Sequence, residues 1–260
     1  MSTLSRGLSS QFEVIWAVML RETLTRFGAH SFGYLWALLE PLLMIFTFWV
    51  LMTIAHRPAP PGMDIFTFLC TGIVPYNLFT NTANKVADSI NGNRPLLYYP
   101  LVQPLDLVFA RTILEIATYG AVFIILMGGH ALYHHHLEVD DALVASMGLL
   151  VAGLLGASLG MVLCMLGQYS KFVDRARGFI FRPLFWLSGV FYTVAHLPEK
   201  ARDAVLVNPV LHCVELVRAG WFKSYHDTYV TVTYPLLFIL VLGFIGLSLE
   251  RAVRTRIELT

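Results

Sequence analysis

Long apolar runs separated by short polar stretches organise the chain. Six of them, at residues 31–55, 65–83, 105–132, 142–166, 178–195 and 229–249, are long enough to cross roughly 30 Å of hydrocarbon at about 1.5 Å per helical residue. The expected architecture is therefore an all-α integral membrane protein with six transmembrane helices. Residues 1–30 precede the membrane domain, residues 31–250 form it, and 251–260 are a tail. Within the fifth run, Arg182-Pro183 falls in the first turns, where proline shortens or kinks a helix. Ahead of the first run, residues 11–28 set Phe12, Ile15, Trp16, Met19, Thr23 and Phe27 at helical spacing. Arg21 and Glu22 turn away from that face, Arg26 lies near it, and Val14 and Val18 fall on the other side. This pattern predicts an amphipathic helix on the bilayer surface, with a plain packing helix as the alternative.

Two connections carry more than linker chemistry. Between the second and third runs, Asn91-Gly92-Asn93-Arg94-Pro95 reads as a helix stop. Pro95, Pro100 and Pro104 then bound a short rigid element displaying Leu96, Leu97, Tyr98 and Tyr99. Stiff backbone with exposed aromatics suits a docking knob for a partner protein, and an interfacial aromatic belt is the plainer reading. Residues 196–228, before the last run, stay markedly apolar, and Asn208-Pro209 splits them into two pieces each too short to span. Short apolar helices at membrane depth must be buried in protein or line a cavity, so a re-entrant pair forming an outer gate is expected. A surface-lying amphipathic helix competes with it. Glu215 and Arg218, three residues apart on the second piece, are placed to pair.

Composition supports the membrane reading: 57% of the 260 residues are hydrophobic and 13% charged, about half the charge of a soluble domain. The 18 Lys+Arg and 17 Asp+Glu leave a net charge of +1, without the basic footprint that nucleic acid requires. Distribution of the cations is more informative. Thirteen of them (Arg6, Arg21, Arg26, Lys85, Arg94, Arg111, Lys171, Arg175, Arg177, Arg182, Arg251, Arg254, Arg256) fall on one side of the six-span arrangement and five on the other, which places both termini in the cytoplasm. Most histidines fall on the opposite side. His130 and the run His134-His135-His136 raise a metal or pH-sensor hypothesis, against which a solvated loop is favoured, since adjacent loop residues cannot all converge on one ion. Cys70, Cys164 and Cys213 have no paired spacing and read as buried thiols.

Charges inside apolar runs are functional candidates by default. Glu40 precedes Pro41 in the first run; Asp106, Arg111 and Glu115 occupy the start of the third; Arg182 begins the fifth. The Arg111/Glu115 spacing predicts mutual neutralisation, and Glu40 an interhelical anchor. In the fourth run, Gly153/Ala157 and Gly156/Gly160 have the spacing that lets helices approach closely, either within the chain or between two copies. No Gly-x-x-x-x-Gly-Lys-[Ser/Thr] exists, because the four lysines follow Asn84, Ser170, Glu199 and Phe222. Any ATP must be bound by another polypeptide.

Several segments, in order and spacing, resemble the permease subunit of type-2 ABC exporters, specifically the Gram-negative capsular polysaccharide export family. They are Leu24-Thr25-Arg26-Phe27-Gly28 with the stretch from Gly33 to Leu42; the proline-bounded stretch from Asn93; Ser188-Gly189-Val190-Phe191-Tyr192; and Leu197-Pro198 with Asn208-Pro209, Glu215 and Arg218. The resemblance implies a non-enzymatic homodimer in the bacterial inner membrane, docked on two copies of a cytoplasmic subunit that binds ATP and Mg. It also implies a lipid-linked polysaccharide cargo, a periplasmic co-polymerase and an outer-membrane channel. In that picture residues 11–28, with Phe12, Ile15, Trp16, Met19, Arg21 and Arg26, are the interface helix. Arg94, Pro95, Leu96, Leu97, Tyr98, Tyr99 and Pro100 couple to the ATPase, and Asn208, Pro209, Glu215 and Arg218 belong to the gate. Trp36, Trp49, Phe185, Trp186, Phe191 and Tyr192 are candidate channel aromatics over which sugar rings slide. Exporters of O-antigen, teichoic acid or a small lipophilic compound are alternatives, as is a membrane-embedded transferase.

Overall fold

The computed structural model describes residues 3–27, 33–99, 101–135, 139–225 and 229–257, with side chains described over 11–24, 38–99, 101–135, 139–225 and 229–253. The described chain is helical. In order it forms α1 (Thr3–Phe27), α2 (Gly33–Ile54), α3 (Ile65–Ala87), the single turn α4 (Ser89–Gly92), a 3-10 turn (Arg94–Tyr98), α5 (Pro104–His134), α6 (Ala142–Gly167) and α7 (Phe172–Leu187). A 3-10 turn (Val194–His196), α8 (Glu199–Leu206), α9 (Pro209–Trp221) and α10 (Thr233–Ile257) complete it.

Helix starts are fixed by side chains that satisfy backbone N–H groups which have no partner inside the helix. Asp64 accepts from the N–H of Phe66 and Thr67 to open α3, and Asp141 accepts from Leu143 and Val144 to open α6. Gln103 and Asp106 form a reciprocal capping box at α5, where Pro104 supplies a preset φ. Asn208 caps α9 ahead of Pro209.

The centre of the bundle is α3 against α6, with α9 packed on both. Small residues on α6 set that distance. A Cβ on Gly160 would stand 2.6 Å from the Ala83 carbonyl oxygen, one on Gly156 would strike the Phe79 carbonyl, and one on Gly148 would lie 2.9 Å from the Val217 nitrogen. Of the two uses the small-residue spacing allowed, α6 spends it within the chain, on α3 and α9.

Among the described residues, Pro104–His134, Ala142–Gly167 and Thr233–Val253 are long and apolar enough to cross a membrane, and Leu38–Ile54 is a shorter apolar stretch. The other two expected spans differ from the pattern. α3 has the length but carries Asn77, Asn81, Asn84 and Lys85 in its second half. The fifth run begins earlier than expected and stops at Leu187, short of residue 195, because the chain turns at Gly189 with φ +73°. The last helix runs on past residue 249 to Ile257. The connection before it is two helices, as the Asn208-Pro209 break predicted. Every side chain from Val210 to Arg218 in α9 is buried, whereas α8 buries none.

Gly160→Ala is expected to lose about 1–3 kcal/mol by overpacking against α3, seen as a lower unfolding temperature in detergent. Gly120→Ala, where a Cβ meets nothing within 4 Å, should leave that temperature unchanged.

Candidate functional site

One end of the bundle presents a braced and exposed element. Asn93 is buried; its amide donates to the Ser89 carbonyl at 3.2 Å, and its oxygen accepts from Arg21 of α1 at 3.1 Å. Pro95 starts the 3-10 turn that follows. Leu96 and Leu97 are not displayed, as the sequence reading had them. They are half-buried against Val18, Leu107 and Ala110, so they root the element. Tyr98 and Tyr99 are what it shows, 81% and 64% exposed, beside exposed Arg94, Pro95 and Leu101. Pro100 lies outside the described residues.

The bracing comes from α1, whose faces differ from those expected. Val18, assigned to the far side by periodicity, is its most buried described residue, flanked by Val14, Ile15 and Met19 against α5. Phe12, Trp16, Leu20 and Leu24 stay exposed as a separate apolar stripe. Gln11 donates to Asp106 at 2.9 Å, and Glu22 pairs with Arg111 at 3.1 Å. Arg111, for which the four-residue spacing predicted Glu115, is thus held by Glu22 and by the Lys85 carbonyl. Glu115 itself is buried. Asp106 and Arg111 therefore tie α1, α3 and α5 together. The Arg26 side chain lies outside the described residues.

Near the opposite end, α9 carries a fully buried ion pair. Arg218 and Glu215, each 0% exposed, pair at 2.9 Å as their spacing predicted. The guanidinium also donates to the carbonyls of Tyr192 at 2.8 Å, Val190 at 3.0 Å and Gly189, and lies 4.2 Å over the Phe68 ring of α3. The second Glu215 oxygen accepts from the Tyr225 hydroxyl. Asn208 donates to the Leu187 carbonyl at 3.2 Å and to the Ser188 hydroxyl at 3.0 Å, fastening α9 to the end of α7. In the same region His130 of α5 contacts the capping Asp64 at 3.2 Å, stacks on Phe66 and lies against His134; His136 is outside the described residues.

The aromatic candidates divide. Phe185, Trp186 and Phe191 form one cluster around Phe48, which the sequence reading passed over: Phe191 lies 4.5 Å from Phe48 and 5.0 Å from Trp186, ring to ring. Tyr192 is half-buried and donates to the Leu187 carbonyl. Trp49 is exposed and stacks on Phe46 instead, and the Trp36 side chain lies outside the described residues. Glu40 and Arg182, from different runs, meet at one cleft below this cluster, lined also by Asn77, Thr80, Asn81 and Asn84. Asn77 and Asn81, four residues apart late in the apolar run, with Asn84 just beyond it, are a polar signal readable in the sequence.

A helical membrane subunit with no nucleotide-binding motif of its own is what these features define, and residues 13–222 match the model of the ABC-2 type transporter family. The chain belongs to that family. It is similar to the polysialic acid transport protein KpsM of Escherichia coli, 32% identical over 251 residues that cover 94% of this chain and 95% of that protein. It is also similar to the capsule polysaccharide export inner-membrane proteins CtrC of Neisseria meningitidis serogroup A (31%, covering 93% and 91%) and BexB of Haemophilus influenzae (28%, covering 99% and 97%).

Removing one partner of a buried pair leaves the other charge uncompensated, at about 3–5 kcal/mol. Arg218→Ala is expected to abolish recovery of folded protein in detergent. Arg218→Lys, which keeps the charge but cannot serve three carbonyls in a planar fork, should be clearly destabilised; thermal unfolding at the wild-type temperature would show that charge alone suffices.

Proposed function

We propose that this chain is the transmembrane subunit of an ATP-driven exporter that moves lipid-linked capsular polysaccharide from the cytoplasm to the periplasm. The observation that carries the reading is the Tyr98-Tyr99 element: two exposed aromatic rings on a turn rooted by Leu96 and Leu97 and tied to α1 through Arg21 and Asn93. Such a device delivers a push from outside into α1 and α5 without dissipating it in a flexible loop. The chain lacks a phosphate-binding loop, so the push originates in a separate ATP-binding subunit, two copies serving two copies of this chain. Support for the cargo comes from the names of the full-length relatives, which are polysialic acid transport and capsule polysaccharide export proteins.

The remaining assignments follow the same reading. The cation-rich side, with both termini, α1 and the Tyr98-Tyr99 element, faces the cytoplasm of an inner-membrane protein. The exposed Phe12, Trp16, Leu20 and Leu24 stripe of α1 rests on the bilayer surface. α8 and α9 form the periplasmic gate as a re-entrant pair in which Arg218 and Glu215 hold the frame, and Phe48, Phe185, Trp186 and Phe191 offer ring faces to sugar C–H groups. A periplasmic co-polymerase and an outer-membrane channel carry the polymer onward.

Deleting the gene should abolish surface capsule while polymer accumulates inside the cell, and affinity purification of the chain should bring down an ATPase. Tyr98→Ala/Tyr99→Ala is expected to give folded protein whose partner hydrolyses ATP without export. Normal surface capsule in that variant would remove the coupling role.

A further inference from the structure

The cleft between α2, α3 and α7 is a built polar site with its hydrogen-bonding groups unspent. Its walls are Glu40 and Met44 from α2, the Tyr76–Asn84 stretch of α3, and Phe181, Arg182, Phe185 and Trp186 from α7, around a volume of about 490 Å³. Arg182 and Glu40 are exposed and have no hydrogen bond or ion pair among the described residues, and Glu40 stands at the start of the apolar stretch Leu38–Ile54. The amides are equally under-used. Asn77 is buried and reaches only the Met44 sulfur, at 3.9 Å; Asn81 donates to Tyr119 at 2.6 Å and keeps its oxygen free. The Asn84 side chain has no partner among the described residues, while Thr80 donates to the Tyr76 carbonyl and can still accept. Trp186, largely exposed, forms a ring-faced wall with Phe185.

We propose that this cleft is a binding subsite for an anionic, hydroxyl-rich group: an acidic sugar, or the phosphodiester that joins a glycan to its lipid. Arg182 takes the oxyanion. The amide oxygens of Asn77 and Asn81 accept from hydroxyls, Trp186 receives a ring face, and Glu40 stands beside the oxyanion as a like charge that selects against excess negative charge. A cation, a carboxylate, a row of amides and an indole on one wall match the mixed donors and acceptors of such a ligand, and match neither an acyl chain nor a simple inorganic anion. The inference rests on the export reading and deepens it, since it assigns where on this chain the cargo is first held.

The full chain in neutral phosphatidylcholine nanodiscs is titrated by calorimetry with tri-galacturonic acid, dihexanoyl phosphatidylglycerol and maltotriose. One or both anionic probes should saturate and maltotriose should bind far more weakly; which anionic probe binds identifies the source of the oxyanion. Arg182→Gln should weaken that probe by about tenfold or more, the share of one charge-assisted hydrogen bond. Glu40→Gln should strengthen it, because it removes a like charge beside the ligand, and this opposite sign separates a binding effect from a folding defect. Lack of saturation by either anionic probe overturns the proposal, as does unchanged affinity in Arg182→Gln, including the case where that variant alters only the association of two copies. Cells keep the two readings apart. A deletion strain with normal surface capsule sinks the export reading, whereas a deletion fully restored by Arg182→Gln leaves export standing and removes the subsite.

Discussion

The guanidinium of Arg218 governs the arrangement of half the molecule. A fully buried cation is tolerated only where acceptors surround it, and here they come from Glu215 on its own helix and from three carbonyls of one irregular stretch, at Gly189, Val190 and Tyr192. That demand explains why α7 ends where it does: carbonyls still engaged in a helix could not face the arginine. It explains the tight space at Gly72, where a Cβ would lie 2.9 Å from the guanidinium and 3.0 Å from the Val190 carbonyl oxygen. It also explains how a helix of 13 residues can sit buried between α3 and α6 without spanning anything.

Around that lock the bundle is uneven in a way that suits a machine with fixed and moving parts. Glycines on α6 draw α3 and α9 into backbone contact, and interiors packed that closely move as units. By contrast, α2, α7 and α10 present long exposed apolar faces, among them Leu42, Phe46, Phe179, Trp186, Leu240 and Phe244. The polar cleft lies on the seam between the two classes of element, where α2 and α7 meet α3.

Much of this was legible in the chain. Apolar runs located the long helices, Asn208-Pro209 divided the last connection, and the three-residue interval paired Glu215 with Arg218, because each depends on neighbours in sequence. What periodicity missed depends on partners far away. Val18 is buried because α5 lies against it, and Arg111 reaches Glu22, since α1 packs beside it. Leu96 and Leu97 look like display residues until α1 and α5 supply a surface to cover them. The cluster on Phe48 needed the turn at Gly189, whose positive φ no hydropathy pattern announces.

Chain order gives the arginine lock a further consequence. Phe68 and the carbonyls at Gly189, Val190 and Tyr192 are synthesised before the one side chain that satisfies them, and Tyr225 comes later still. Until synthesis passes Arg218, α3 and α6 can pack through their glycine contacts, but the Phe68 ring and the carbonyls at the end of α7 lack the guanidinium they close on. The docking of α9 against α3 and the end of α7 is therefore among the last contacts the growing chain can make.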